Sequence, residues 1–211
     1  MIVLGVDPGT RRLGWGVVER QGNRLRHLGH GVLVLPPTRP LAERLTLLEE
    51  GLCAVITRFR PQASSVETLF FHKDPQAAAK LGHARGVVLL CCARSGVEVA
   101  EYAPARVKRT VAGHGAADKR QVALFVRAML SLDALPPSDA ADALALALTH
   151  LRQAPLAEAV LKAAGPLRAA LKTAGTLKTA GALKTAGALK TAAVLKTAAA
   201  KAAAARQFQR R

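Results

Sequence analysis

The chain opens on IVLGV at residues 2–6, a short β-branched run that stops at Asp7-Pro8-Gly9-Thr10, a turn-forming cluster. Two more apolar runs follow directly, Leu13 to Val18 and about Arg26 to Leu35, so the chain begins with three consecutive strands, a meander. Helical spacing then runs from Leu41 to Phe59 and stops at Pro61. Residues 64–69 read as a short strand carrying Glu67, 76–95 as a long apolar helix and 97–102 as an alternating strand. Helices over 104–111, 118–130 and 139–151 complete the core, with Ser138 as the expected N-cap of the last. Strands first, then strands alternating with helices, predict an α/β fold: a mixed central sheet with helices on both faces.

Beyond residue 151 the chain changes character. From Leu171 it repeats a six-residue unit, LKTAGT, LKTAGA, LKTAGA, LKTAAV, LKTAAA. Six residues at about 100° each advance about 240°, so successive leucines point to different sides of a helix and form no apolar stripe. Glycines at 175, 181 and 187 weaken helicity further, and no aromatic residue precedes Phe208 in this segment. The expected organisation is one domain over residues 1–151 and a disordered, Ala/Lys-rich basic tail over 152–211.

That division locates the charge. Lys and Arg number 31 against 14 Asp and Glu, a formal charge of +17, and 12 of the basic residues lie in the tail with a single acidic one. Such an excess points to a polyanionic partner. Cys53, Cys91 and Cys92 lie in apolar stretches without the paired spacing of a zinc or disulfide framework, and read as buried small hydrophobes in a reducing compartment. No run reaches the ~18 apolar residues of a membrane span, and no charged leader precedes the first strand. A cytoplasmic protein is expected.

Four carboxylates stand at edge positions: Asp7 where the first strand ends, Glu67 in the fourth strand, and Asp139 and Asp142 in the first turn of the last helix, one face apart by i and i+3. Singly, each has a structural use, since acidic groups suit strand ends and helix N-termini. Jointly they need an explanation. Two carboxylates about 4 Å apart repel by roughly 4 kcal/mol at an effective dielectric near 20. Hard divalent cations with oxygen ligands would relieve that repulsion, and two of them can activate water and stabilise the leaving oxygen of a phosphodiester.

The segments GVDPGTRRLGWGVV, VETLFFHKDPQAAAKLGHARG, VKRTVAGHGAADKRQV and SDAADALALALTH occur in this order and spacing. Over residues 1 to 151 the chain thereby resembles the bacterial Holliday-junction resolvases of the RuvC type. The resemblance implies an RNase H-like fold, a homodimer, and Mg2+-dependent nicking of two symmetry-related strands of a four-way DNA junction. Two Mg2+ ions per site are implied, with Mn2+ as an alternative, and the RuvA and RuvB branch-migration proteins as partners. Position by position, Asp7, Glu67, Asp139 and Asp142 match the family's acidic residues. Some members carry histidine at the last, so Asp142 is left as either a ligand or a proton-transfer group. Phe70 matches an aromatic that stacks on a base, and Lys108 and Lys119 match contacts to DNA phosphate.

Other residues read more simply. Arg109 and Arg120 add charge beside those lysines, as DNA contacts or a solvated basic face. Of Phe70 and Phe71, alternation sends one inward and one outward. His114 is expected on an exposed loop, Trp15 in core or hairpin packing, and His72 near Glu67. His150 falls on the Asp139 stripe but about 16 Å along the helix, too far for a ligand. His83, Arg85 and Gly86 lie on the helix that the family uses in its dimer contact.

Three other functions compete. An ATPase of the actin and sugar-kinase class shares the opening turn, but no second Asp-x-Gly turn follows. An architectural DNA-binding protein would suit the tail and need no internal carboxylates. A related RNase H-like nuclease acting on RNA shares the opening, yet Phe70 and VKRTVAGHG favour the junction enzyme.

Overall fold

The computed structural model describes residues 1–68 and 75–153. Five strands are present: β1 (Ile2–Asp7), β2 (Arg12–Gln21), β3 (Arg24–Val34), β4 (Ala63–Glu67) and β5 (Glu98–Tyr102). The helices are α1 (Leu41–Phe59), α2 (Pro75–Arg94), α3 (Pro104–Ala112), α4 (Lys119–Leu130) and α5, which is described over residues 138–153. The sheet order is β3-β2-β1-β4-β5, antiparallel in the opening meander and parallel from β1 through β5. This is the mixed, RNase H-like sheet expected.

Strand alternation divides the core. Leu4 and Val6 of β1, Val17 of β2 and Val66 of β4 pack against α1 and α2. Val3, Val18, Ala63 and Tyr102 face the other way, against α3, α4 and α5. Helices therefore cover both faces, and each face of β1 is buried.

The closest packing is between α5 and the meander. A Cβ on Gly5 would lie 1.8 Å from the Ala143 carbonyl oxygen, and one on Gly14 would lie 1.9 Å from that of Asp139. Only a bare backbone lets the helix settle so near the sheet. Residues 140, 141, 143–149 and 151 are all buried, so α5 is enclosed almost all round.

Two sequence expectations shift here. Ser138 is already helical, because the Ala141 amide donates to the Pro137 carbonyl at 2.8 Å, which makes Pro137 the N-cap. Cys53 is half-buried while Cys91 and Cys92 are buried, and all three are free thiols. No helix among the described residues is long and apolar enough to cross a membrane. Phe70, Phe71, His72 and residues 154–211 of the expected disordered tail lie outside the described residues, while Arg152 and Gln153, expected to begin that tail, continue α5.

Candidate active site

The carboxylates converge because of strand register. In β1, Val3, Gly5 and Asp7 share the face covered by α5, and in β4 Ala63, Ser65 and Glu67 share it too. Val6 pairs with Val66 in the parallel ladder, so one residue on, Asp7 stands level with Glu67 on the adjacent strand. Neighbouring strands are about 4.8 Å apart, which makes this a carboxylate pair at the carboxyl ends of two parallel strands. Gly14, the β2 partner of Asp7, is the residue on which Asp139 rests. The first turn of α5 is thus seated beside Asp7, and Asp142 one helical turn on faces the same space.

The result is a cleft of about 280 Å³ lined by Asp7, Glu67 and Asp142, by Lys108 and Lys119, and by Pro104, Val107, Val122 and Leu146. Its lining thus mixes apolar side chains with charged ones of both signs. Asp7 is held up at about 7 against an ordinary 3.8, first by burial, then by the negative charges of Asp142, Glu67 and Asp139. Burial also raises Asp142, although Lys119 opposes it. Carboxylate oxygens gathered at this cost have the chemistry that a hard divalent cation takes as ligands, so the residues present fit one.

Local structure places the two lysines. Helix α3 ends at Gly113, whose φ of 85° is the left-handed geometry that favours glycine, and its N–H caps the Arg109 carbonyl. Helix α4 starts on a capping box in which the Asp118 carboxylate accepts from the Gln121 amide at 2.8 Å and the Gln121 side chain accepts from the Asp118 amide at 3.0 Å. Lys108 in the last turns of α3 and Lys119 at the start of α4 both line the cleft. Lys119 Nζ lies 3.3 Å from Asp142 Oδ2, and the carboxylates raise its pKa, Asp142 most.

Other expectations sort clearly. Asp139 is half-buried but is absent from the cleft lining, and Arg12 Nε donates to its Oδ2 at 2.6 Å. Arg12 is a site neighbour that sequence reading missed; charge after the opening turn is its only signal. Arg109 and Arg120 are exposed and do not line the cleft. His114 is exposed, Trp15 packs on Phe59 with ring centroids 5.8 Å apart, and His150 Nδ1 is 2.9 Å from the Tyr102 hydroxyl.

Among the described residues the one group of three donors whose ligand atoms lie within 4.8 Å of one another is Glu49, Cys53 and Cys91, away from the cleft; the cleft carboxylates are spaced more widely. Burial pushes the Cys91 thiol up to about 12, so it stays protonated and packs as an apolar group in the α1 and α2 core.

The comparisons with known proteins identify the family and the fold. The family model described as crossover junction endodeoxyribonuclease RuvC matches residues 3–150. A crossover junction endodeoxyribonuclease RuvC from Sorangium cellulosum is 53% identical over 167 residues, covering 79% of this chain and 93% of that protein. The structure of T. thermophilus RuvC in complex with a Holliday junction substrate superposes with a TM-score of 0.71 at 43% identity, over 74% of this chain and 96% of that one. The yeast mitochondrial Holliday junction resolvase Ydc2 shares the fold alone, with a TM-score of 0.51 at 11% identity over 71% of this chain and 78% of that one.

Proposed function

The chain belongs to the RuvC family of crossover junction endodeoxyribonucleases, and on that premise we propose that it resolves four-way DNA junctions by paired, metal-dependent nicks in recombination and repair. The observation that carries this reading is the meeting of Asp7, Glu67 and Asp142 in one cleft with Lys108 and Lys119, and with Asp139 on its edge.

In this reading Asp7, Glu67 and Asp139 hold two Mg2+ ions, or Mn2+, and Asp142 is a further ligand or a proton-transfer group. The ions, when bound, would supply a hydroxide nucleophile and neutralise charge on the departing oxygen. The protein's own groups do the rest. Lys108 and Lys119 bind phosphate oxygens and orient the strand, Arg109 and Arg120 extend the basic surface outside the cleft, and Phe70 stacks on a base of the opened junction. Val107, Val122 and Leu146 supply the apolar part of the lining.

We read the functional unit as a cytoplasmic homodimer, since a two-fold dimer matches a substrate with two equivalent strands. The outer side of α2 suits that contact: His83 and Gly86 are exposed there, and Leu90 is 50% exposed. RuvA and RuvB are the partners this assignment implies.

Two results should follow. Incubating a synthetic junction with the protein and Mg2+ should give nicks at symmetry-related positions whose 5′-phosphate and 3′-hydroxyl ends a ligase reseals. Nicks scattered without symmetry, or ends that ligase rejects, would refute the assignment. Lys119→Met should cut the rate by about 100-fold. It should also move the acidic limb of the pH–rate profile upward, because Lys119 is the cation that holds Asp7 down. A limb that stays in place would show that Lys119 acts elsewhere.

The basic tail over residues 152–211 is assigned a separate role, sequence-independent affinity through counterion release. A chain ending near Gln153 should bind junctions with a flatter dependence on salt. An unchanged slope would remove the tail from DNA binding.

A further inference from the structure

Glu67 ends β4, and the ladder around it shows where its backbone points. The Thr68 amide donates to the Tyr102 carbonyl at 2.9 Å, so residue 68 is turned toward β5. By alternation the carbonyl of Glu67 is turned toward β1. With Val6 level with Val66, the donor that would meet this carbonyl in a parallel ladder is the amide of residue 8. Residue 8 is proline and has no N–H. The ladder therefore stops one bond short at the residue that carries a candidate ligand.

The missing donor comes from the far side of the sheet. Arg85 on α2 donates from Nη1 to the Glu67 carbonyl at 2.5 Å, and its Nη2 pairs with Glu101 of β5 at 2.7 Å. Arg85 is 7% exposed, and Glu101 is the β5 partner of Val66. One buried, planar guanidinium thus joins α2, β4 and β5 at the level of the cleft. Leaving its buried charge without partners would be costly, which argues against incidental packing.

We propose that Arg85 is a positioning residue for the metal-binding cleft. It replaces the ladder bond that Pro8 cannot make, and so fixes the Glu67 backbone while the carboxylate projects from the opposite face beside Asp7. This rests on the reading of Glu67 as a ligand.

The test compares Arg85→Met in the native chain and in a Pro8→Ala background, where residue 8 regains an amide proton. The readouts are Mn2+ binding and junction binding without metal. Arg85→Met should weaken Mn2+ binding about tenfold or more, as loss of a group supporting a ligand does, and leave metal-free junction binding intact. In the Pro8→Ala background the same substitution should cost less than about threefold, because the two changes act on one carbonyl. Equal losses in both backgrounds, or Mn2+ binding unchanged by Arg85→Met, would overturn the proposal. Should Arg85→Met not fold, Arg85→Lys serves the same comparison, since an ammonium lacks the fork that reaches both partners. Mn2+ binding that survives Glu67→Gln would instead overturn the ligand reading itself.

Discussion

Asp7→Asn is expected to lower junction cleavage by about a thousandfold or more, and at the same time to stabilise the metal-free protein at pH 8. The first effect follows from its place at the end of β1, level with Glu67 and lining the cleft. An amide has the same shape but neither charge nor full donor strength toward a cation. The second effect follows from the raised pKa. Between 3.8 and about 7 the folded state holds a proton on Asp7 that the unfolded chain has released. Stability therefore falls as pH rises through that window, by about 4 kcal/mol as an upper figure, and the loss is complete above it. Asparagine removes this cost. Thermal unfolding in a chelator at pH 5 and pH 8 checks the sign: the variant's advantage should grow with pH, and saturating Mg2+ should reverse it. A variant less stable than the native chain at pH 8 without metal would mean that the carboxylates do not repel as their placement implies.

Gly14→Ala is expected to cost about 3 kcal/mol or more of stability and, in whatever folds, to remove cleavage. The new methyl would sit 1.9 Å from the Asp139 carbonyl oxygen and 2.3 Å from its carbon. Both are backbone atoms, so no rotamer change relieves the overlap, and the first turn of α5 must move. That turn carries Asp139 and Asp142 away from Asp7. A useful control is Gly115→Ala, whose Cβ would meet its nearest neighbour, the Ala105 carbonyl oxygen, at an ordinary 3.5 Å. Its effect on unfolding should be within about 0.5 kcal/mol. Equal destabilisation by the two substitutions would show that α5 is not held at the distance described.

Much of this was legible in local pattern. The α1 boundaries, the meander and the short strand bearing Glu67 follow from apolar periods of 3.6 and 2, which any segment carries in its own residues. The shared face of Asp7 and Glu67 also follows from alternation, once the two strands are known to be parallel neighbours. What stayed hidden depends on distant partners. Arg12 and Asp139 are 127 residues apart, and nothing in either segment announces the pair. Arg85 reads as one more charge on a helix until its carbonyl partner is known. Gly5 and Gly14 read only as weak strand residues, whereas they are the floor on which α5 rests. Net charge misleads if taken whole, since the tail dominates it while the cleft sets carboxylates beside Lys108 and Lys119.

The most direct test of the central claim is cleavage of an equimolar mixture of a four-way junction and a linear duplex of the same sequence, with Mg2+ and with Asp7→Asn in parallel. The expected result is cutting of the junction, at paired positions, with the duplex intact and no product from the variant. Equal cutting of both substrates, or activity that survives the loss of Asp7, would contradict it.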